Sequence, residues 1–279
     1  MAAIGEITWA DGTATPRLGQ GSWKMGEAGA DRKAEAAALS LGLDLGMTLI
    51  DTAEMYAEGG AEEVVREAVA GRRDEVFLVS KAYPHNAGRR SLAAACARSL
   101  KRLGTDRLDL YLLHWRGSIP LGETVEAMQA LVAAGKILRW GVSNLDVDDL
   151  EELGQGLAHC ATDQVLWNLT ARGVEFDLLP FCARRGMPVM AYSPIGQGGR
   201  LLRHPVLARI AARHGVSTAQ AALGFVLARP GVVAIPKAST AAHVRDLAAT
   251  RDLALTPQDV AELDAAFPPP RRKRGLEML

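Results

Sequence analysis

The sequence predicts an α/β fold, a (β/α)8 TIM barrel with an N-terminal β-hairpin and extra C-terminal helices. Two observations carry this reading. After residue 18, short runs rich in Val, Ile and Leu alternate with longer Ala-rich stretches of helical period, and eight such pairs follow one another. At 279 residues, the chain has the length that a single closed barrel occupies. One domain spanning 1–279 is therefore expected, since neither an internal repeat nor a low-complexity linker divides it.

In chain order, the predicted strands are Leu18–Gly21, Thr48–Ile50, Val76–Ser80, Leu108–Leu113, Leu138–Val142, Gln164–Leu166, Val189–Ala191 and Val232–Ile235. Helices are predicted near Arg32–Leu45, Ala61–Ala70, Arg89–Leu103, Glu123–Ala134, Val147–Leu153, Asp177–Arg185, Ser217–Ala228 and Ala241–Ala248, with Asp146 and Thr240 placed to cap two of them. Two kinds of segment stand outside the repeat. Ile7–Trp9, Asp11-Gly12 and Ala14–Pro16 read as a hairpin with a primed turn that caps the bottom of the barrel. Pro205–Arg213 and Thr256–Phe267 read as additional helices. An open doubly wound sheet is the alternative, disfavoured because no strand runs into a GxGxxG turn.

Charge excludes several partners. The chain carries 32 basic and 32 acidic side chains, so no net field gathers nucleic acid or an anionic membrane, and a small molecule is the expected partner. Cys96, Cys160 and Cys182 show neither disulfide nor zinc spacing and read as reduced, packed thiols. No segment has the pattern of a leader or a membrane span, and a cytoplasmic monomer is expected. Pro268, Pro269 and Pro270 should stop the last helix, and the basic run Arg271–Arg274 reads as a solvated end.

In a barrel of this kind the residues just past the strands converge on one rim. There the second strand runs into Asp51 and Tyr56, the third into Lys81 and the fourth into His114. Singly, these residues have ordinary explanations: a helix cap, an interface aromatic, a solvated cation, a core imidazole. Jointly, titratable groups ending three successive apolar strands are a costly arrangement that needs mutual pairing. A phenol is a weak acid at neutral pH, and a neighbouring ammonium is expected to lower its pKa. Lys81 would do this to Tyr56, Asp51 would hold Lys81, and His114 would orient a carbonyl oxygen that Tyr56 protonates.

These residues resemble the aldo-keto reductase family. The likeness runs through Gly19-Gln-Gly21-Ser22-Trp23, Asp51-Thr52-Ala53 with Tyr56, Lys81, Leu113-His114-Trp115, Gly141-Val142-Ser143-Asn144, Gln164 to Asn168, Ala191-Tyr192-Ser193-Pro194 and Ile235-Pro236-Lys237. Within the family, Ile235-Pro-Lys-Ala-Ser, Phe267-Pro-Pro-Pro and Leu276-Glu-Met-Leu279 are most similar to small bacterial reductases that accept methylglyoxal and related aldehydes.

The resemblance implies NADPH-dependent reduction of aldehydes and reactive ketones, reversible toward alcohol oxidation, with an Asp51-Tyr56-Lys81-His114 tetrad and no metal. It assigns Ser143, Asn144 and Gln164 to the nicotinamide carboxamide, whose donor and acceptor their side chains complement. Tyr192 would stack on the nicotinamide ring. Ser193, Pro194, Gly196 and Gly198 open a glycine-rich stretch whose amides would approach the pyrophosphate. Lys237 and Ser239 would meet the adenosine 2′-phosphate, the basis for preferring NADPH and keeping NADH as the weaker alternative. Trp23 and Trp115 would wall the substrate pocket, with Tyr83 beside them. Many relatives carry Arg, Glu and Asn where this chain has His243, Asp246 and Leu247, so His243 and Asp246 imply a weaker adenosine clamp.

Two readings from other classes remain open at this point. A redox-sensing subunit that keeps the cofactor without turnover is disfavoured by the complete tetrad. A barrel hydrolase or isomerase using Asp51 and His114 leaves Ser143, Asn144, Gln164, Tyr192 and Lys237 unexplained.

Overall fold

In the computed structural model, which describes residues 5–279, eight parallel strands close into a barrel. They are β1 (Gln20–Gly21), β2 (Leu49–Asp51), β3 (Phe77–Ala82), β4 (Leu110–Leu113), β5 (Trp140–Ser143), β6 (Cys160–Leu166), β7 (Val189–Tyr192) and β8 (Val232–Ile235). Each pairs with its successor. The ring closes between first and last: Leu18 bridges Ala234, Ala234 N–H donates to Arg17 at 2.8 Å, and Gly21 N–H donates to Pro236 at 2.9 Å. Among the described residues, closure leaves the barrel sheet without a free edge.

Around the ring lie α1 (Arg32–Asp44), α2 (Gly60–Ala68), α3 (Arg89–Leu103), α4 (Leu121–Ala133), α5 (Val147–Glu152), α6 (Leu178–Arg184), α7 (Thr218–Leu227) and α8 (Ala241–Ala248). Their starts carry the chemistry that the sequence advertised. Asp146 caps α5 and Ser217 caps α7 through reciprocal capping boxes, and Thr240 Oγ1 accepts the His243 amide at the start of α8. Two further helices, Pro205–His214 and Pro257–Ala266, pack against each other outside the repeat. The three prolines after Ala266 end the last of them.

The core has two parts, as a barrel requires. Leu49, Phe77, Val79, Leu110, Leu112, Met190, Val233 and Ile235 fill the interior, and a larger shell lies between strands and helices. The hairpin strands Glu6–Thr8 and Ala14–Pro16 plug the interior from its N-terminal end: Ile7 and Trp9 join the interior cluster, and Trp9 stacks on Phe77 with centroids 5.0 Å apart. This confirms the cap but corrects its turn. Trp9 N–H donates to Thr13 and Gly12 N–H to Trp9, a three-residue loop with Gly12 at φ +85°, where a primed turn would use two.

Strand β6 starts at Cys160, four residues ahead of the predicted Gln164, and carries Thr162 and Asp163 into the buried interior. Thr162 Oγ1 donates to Pro188 at 2.9 Å, and burial pushes the Asp163 carboxyl well above the usual carboxylate range. The basic tail is corrected in one residue. Lys273 Nζ lies 2.6 Å from Asp146 and 2.5 Å from Asp177, tying the chain end to the starts of α5 and α6. All three cysteines are free and buried. No described helix is long and apolar enough to cross a membrane.

Candidate active site

The strands deliver the four predicted side chains to the C-terminal rim of the barrel. Asp51 is the last residue of β2, Lys81 lies near the end of β3, and His114 directly follows β4. Tyr56 enters from a tight turn in which Ala57 and Glu58 hold φ +49° and +53°, conformations that non-glycine residues adopt only when the surroundings enforce them. Lys81 binds them together. Its Nζ donates to Asp51 Oδ2 at 2.6 Å, to the Thr52 carbonyl at 2.9 Å and to Tyr56 Oη at 3.2 Å, with a fully buried side chain. Every proton of the ammonium therefore has an acceptor, the condition for burying such a charge.

The floor of the mouth extends in both directions from this pair. Gln164 Nε2 donates to Asp51 Oδ1 at 2.8 Å, filling the other carboxylate oxygen. Ser143 Oγ donates to the Gln164 carbonyl at 2.8 Å, and Asn144 Nδ2 donates to the His114 carbonyl at 3.1 Å. Tyr192 Oη donates to Asn144 Oδ1 at 2.9 Å. The His114 ring meets Tyr56 edge-on, with centroids 5.8 Å apart at 75°. The structure thus joins the four proposed catalytic residues and the four proposed nicotinamide residues into one polar floor.

Protonation states follow from burial and charge. Burial raises the Asp51 carboxyl, opposed by Lys81; burial alone would lower Lys81, but Asp51 and Tyr56 hold it above its ordinary value. Tyr56 corrects an expectation. Desolvation outweighs the pull of Lys81, and the phenol lies above 10.0 rather than below it, so the group is fully protonated at neutral pH. A proton donor needs that state, and an alkoxide forming on the substrate is basic enough to take the proton from it. Burial and the Lys81 charge push His114 down to about 2, so its imidazole is neutral and has one N–H to give.

Other predicted residues are distributed unevenly. Trp115 packs against His114 at 4.8 Å and meets Tyr83 edge-on at 5.9 Å, building one wall of the mouth. Trp23 follows β1 on the same rim, half-buried, with the Lys24 ammonium 4.6 Å above its ring. Ser193, Gly196 and Gly198 all have positive φ in the loop after β7, and Pro194 is buried within it. Lys237 and Ser239 are half-buried beyond β8, and His243 is exposed on α8. Asp246 is engaged elsewhere: its carboxylate accepts from Ser217 Oγ at 2.8 Å and its carbonyl from Gln220 at 2.8 Å, which makes it a strut between α8 and α7.

Glu54 was missed by sequence reasoning. It is buried beneath the β3–α3 loop, where Oε1 accepts from Tyr83 N–H at 2.9 Å and Asn86 Nδ2 at 2.8 Å, holding the segment that backs Trp115. Its place between Asp51 and Tyr56 was the available signal.

The residues present fit a dinucleotide: Ser143, Asn144, Gln164 and Tyr192 group polar side chains beside the tetrad, and a run of positive-φ residues follows on the same side. Comparison with known proteins points the same way. Residues 17–267 match the aldo/keto reductase family. The chain is 54% identical over 279 residues to methylglyoxal reductase YeaE of Escherichia coli K12, covering 98% of both chains, and 34% identical over 258 residues to a glyoxal reductase of Bacillus subtilis, covering 91% of this chain and 90% of that one. It superposes on a crystal structure of an aldo-keto reductase from Klebsiella pneumoniae in complex with NADPH at a TM-score of 0.96, with 51% identity and all of both chains covered. By fold, by site and by these likenesses, the chain belongs to the aldo/keto reductase family.

Proposed function

We propose that this protein reduces small aldehydes and reactive ketones, methylglyoxal-like dicarbonyls and aromatic aldehydes among them, to alcohols with NADPH, and that Tyr56 is the general acid. The observation that carries the proposal is the triad in which the buried Lys81 ammonium contacts Asp51 and the Tyr56 hydroxyl at once. NADPH, when bound, supplies the hydride to the carbonyl carbon. Tyr56 hands its proton to the oxygen, His114 donates its N–H to the same oxygen, and the Lys81 charge stabilises the phenolate left behind. Asp51 holds Lys81 in place and charged.

Ser143, Asn144 and Gln164 would exchange part of their present hydrogen bonds for the carboxamide, and Tyr192 would lie against the ring. The loop from Ser193 through Pro194 to Gly198 would face the pyrophosphate, and Lys237, Ser239 and His243 the 2′-phosphate. Trp23 and Trp115 would bound the substrate. NADH, lacking that phosphate, is expected to serve less well. All of these residues come from one chain, so a monomer suffices for the site.

The test is a panel of methylglyoxal, 4-nitrobenzaldehyde and simple ketones with NADPH and NADH side by side, run on the native protein and on Tyr56→Phe. The native protein should turn over aldehydes with NADPH, and Tyr56→Phe should lose about a thousandfold in kcat while binding NADPH normally. Near-native turnover by that variant would remove Tyr56 from the acid role.

A further inference from the structure

We propose that Asn168, which touches none of the reacting groups, is the positioning residue that holds the glycine-rich loop in shape for the dinucleotide's phosphates; this rests on the function proposed above. Asn168 lies two residues beyond β6 and is 3% exposed. Its amide divides into two tasks. Oδ1 accepts from Thr170 N–H at 2.8 Å, Thr170 Oγ1 at 2.7 Å and Ala171 N–H at 3.1 Å, which fixes the tight turn that follows β6. Nδ2 reaches across to the next strand and donates to the Ser193 carbonyl at 3.0 Å.

That carbonyl is the hinge point of the phosphate loop. It also accepts Gly196 N–H at 2.9 Å, closing the turn from Ser193 to Gly196. Ser193 itself sits at φ +46°, and Gly196, Gln197, Gly198 and Gly199 follow at +60°, +57°, +77° and +54°. A left-handed conformation costs a non-glycine residue about 1–2 kcal/mol, so Ser193 keeps it only if neighbouring contacts demand it. Among the described residues, Asn168 supplies the side-chain contact that does so. It is itself braced, because the preceding Trp167 is fully buried and its indole donates to Glu175 at 2.9 Å.

The residue type follows from the geometry. Only a planar amide presents a donor at one corner and an acceptor at the other from a side chain of this length. A carboxylate keeps the Thr170 and Ala171 contacts but sets an oxygen against the Ser193 carbonyl. A serine is too short to reach both. In either case the loop's amides lose their common orientation, and NADPH must order them on binding. The cost should appear as weaker cofactor affinity, because the tetrad residues lie on or just past β2, β3 and β4 and hydrogen-bond to neither Asn168 nor Ser193.

Asn168→Asp and Asn168→Ser test this, each compared with the native protein by NADPH titration, by 2′-AMP titration, by kcat and KM at saturating NADPH and by melting of the free protein. Both variants should bind NADPH about tenfold more weakly, equivalent to about 1.4 kcal/mol. Binding of 2′-AMP, which lacks the pyrophosphate, should be unchanged, as should kcat and the KM for methylglyoxal to within about twofold. If Asn168→Asp misfolds, Asn168→Ser carries the same expectations. Unchanged NADPH affinity in a folded variant would overturn the proposal. Equal weakening of 2′-AMP and NADPH would overturn it too, by reducing Asn168 to general structural support. Failure of the native protein to bind NADPH would instead sink the functional reading beneath it.

Discussion

The two ends of the site are built on different terms. At the β2–β4 end, Asp51, Lys81 and His114 are buried, Asp51 accepts from Lys81 at 2.6 Å and from Gln164 at 2.8 Å, and each charge has its partner before any ligand arrives. At the β7–β8 end, Lys237 and Ser239 are only half-buried, His243 is exposed, and the intervening loop runs through five residues of positive φ. The reacting end is preorganised, so its groups need no rearrangement as charge develops. The end proposed for the nucleotide keeps cations in water, where they cost little to hold, and on that proposal it would set affinity rather than chemistry.

Perturbing the buried end should have the largest consequences. Lys81→Met leaves the Asp51 carboxylate buried without its cation, which should destabilise the fold by about 3 kcal/mol and abolish turnover. Adding Asp51→Asn should recover much of the stability in urea unfolding but none of the activity. If the double variant were no more stable than Lys81→Met, the pair would not be the coupled unit that its 2.6 Å contact describes.

Next in size is a pH effect from the same end. His114 is neutral in the fold down to about 2 and titrates near 6.5 when unfolded. Its folded pKa is depressed, so the unfolded chain binds the extra proton and stability falls as pH drops through 6.5. Between pH 7 and pH 5 this one group should remove about 2 kcal/mol. His114→Gln should flatten that part of the urea-derived stability profile. An identical slope in the variant would mean that His114 is not held neutral.

The exposed end should respond more mildly and more selectively. Lys237→Met should raise the KM for NADPH about tenfold and leave NADH nearly unaffected, while His243→Arg should lower the NADPH value by about threefold. Equal effects on both cofactors would place neither residue at the 2′-phosphate, and the contrast between the two ends would then lose its charge-recognition side.

Much of this architecture was readable because the relevant signals are local. Alternation of β-branched runs with Ala-rich helices predicted all eight strands, and Asp146, Ser217 and Thr240 occupy cap positions that depend on a few neighbouring residues. Glycine and spacing predicted the hairpin but not its loop length, since both turn classes accept Asp-Gly. The early start of β6 was hidden because a pattern reading treats Thr162 and Asp163 as exposed. Whether a polar side chain is satisfied or neutralised inside depends on partners elsewhere in the chain.

The sequence by itself determined the barrel, the rim position of Asp51, Lys81 and His114, and the side of the mouth on which the glycine-rich loop lies, because each follows from the period of a strand and the residues that end it. Only the tertiary structure decided which groups pair and in what ionic state. Gln164 meets Asp51 across 113 residues, Lys273 closes on Asp146 across 127, and Asn168 reaches the Ser193 carbonyl from the neighbouring strand. Tyr56 stays a protonated phenol although Lys81 stands beside it, because the loss of water around its hydroxyl outweighs the attraction of one cation. Desolvation is a property of everything packed around a group, and no stretch of sequence contains it.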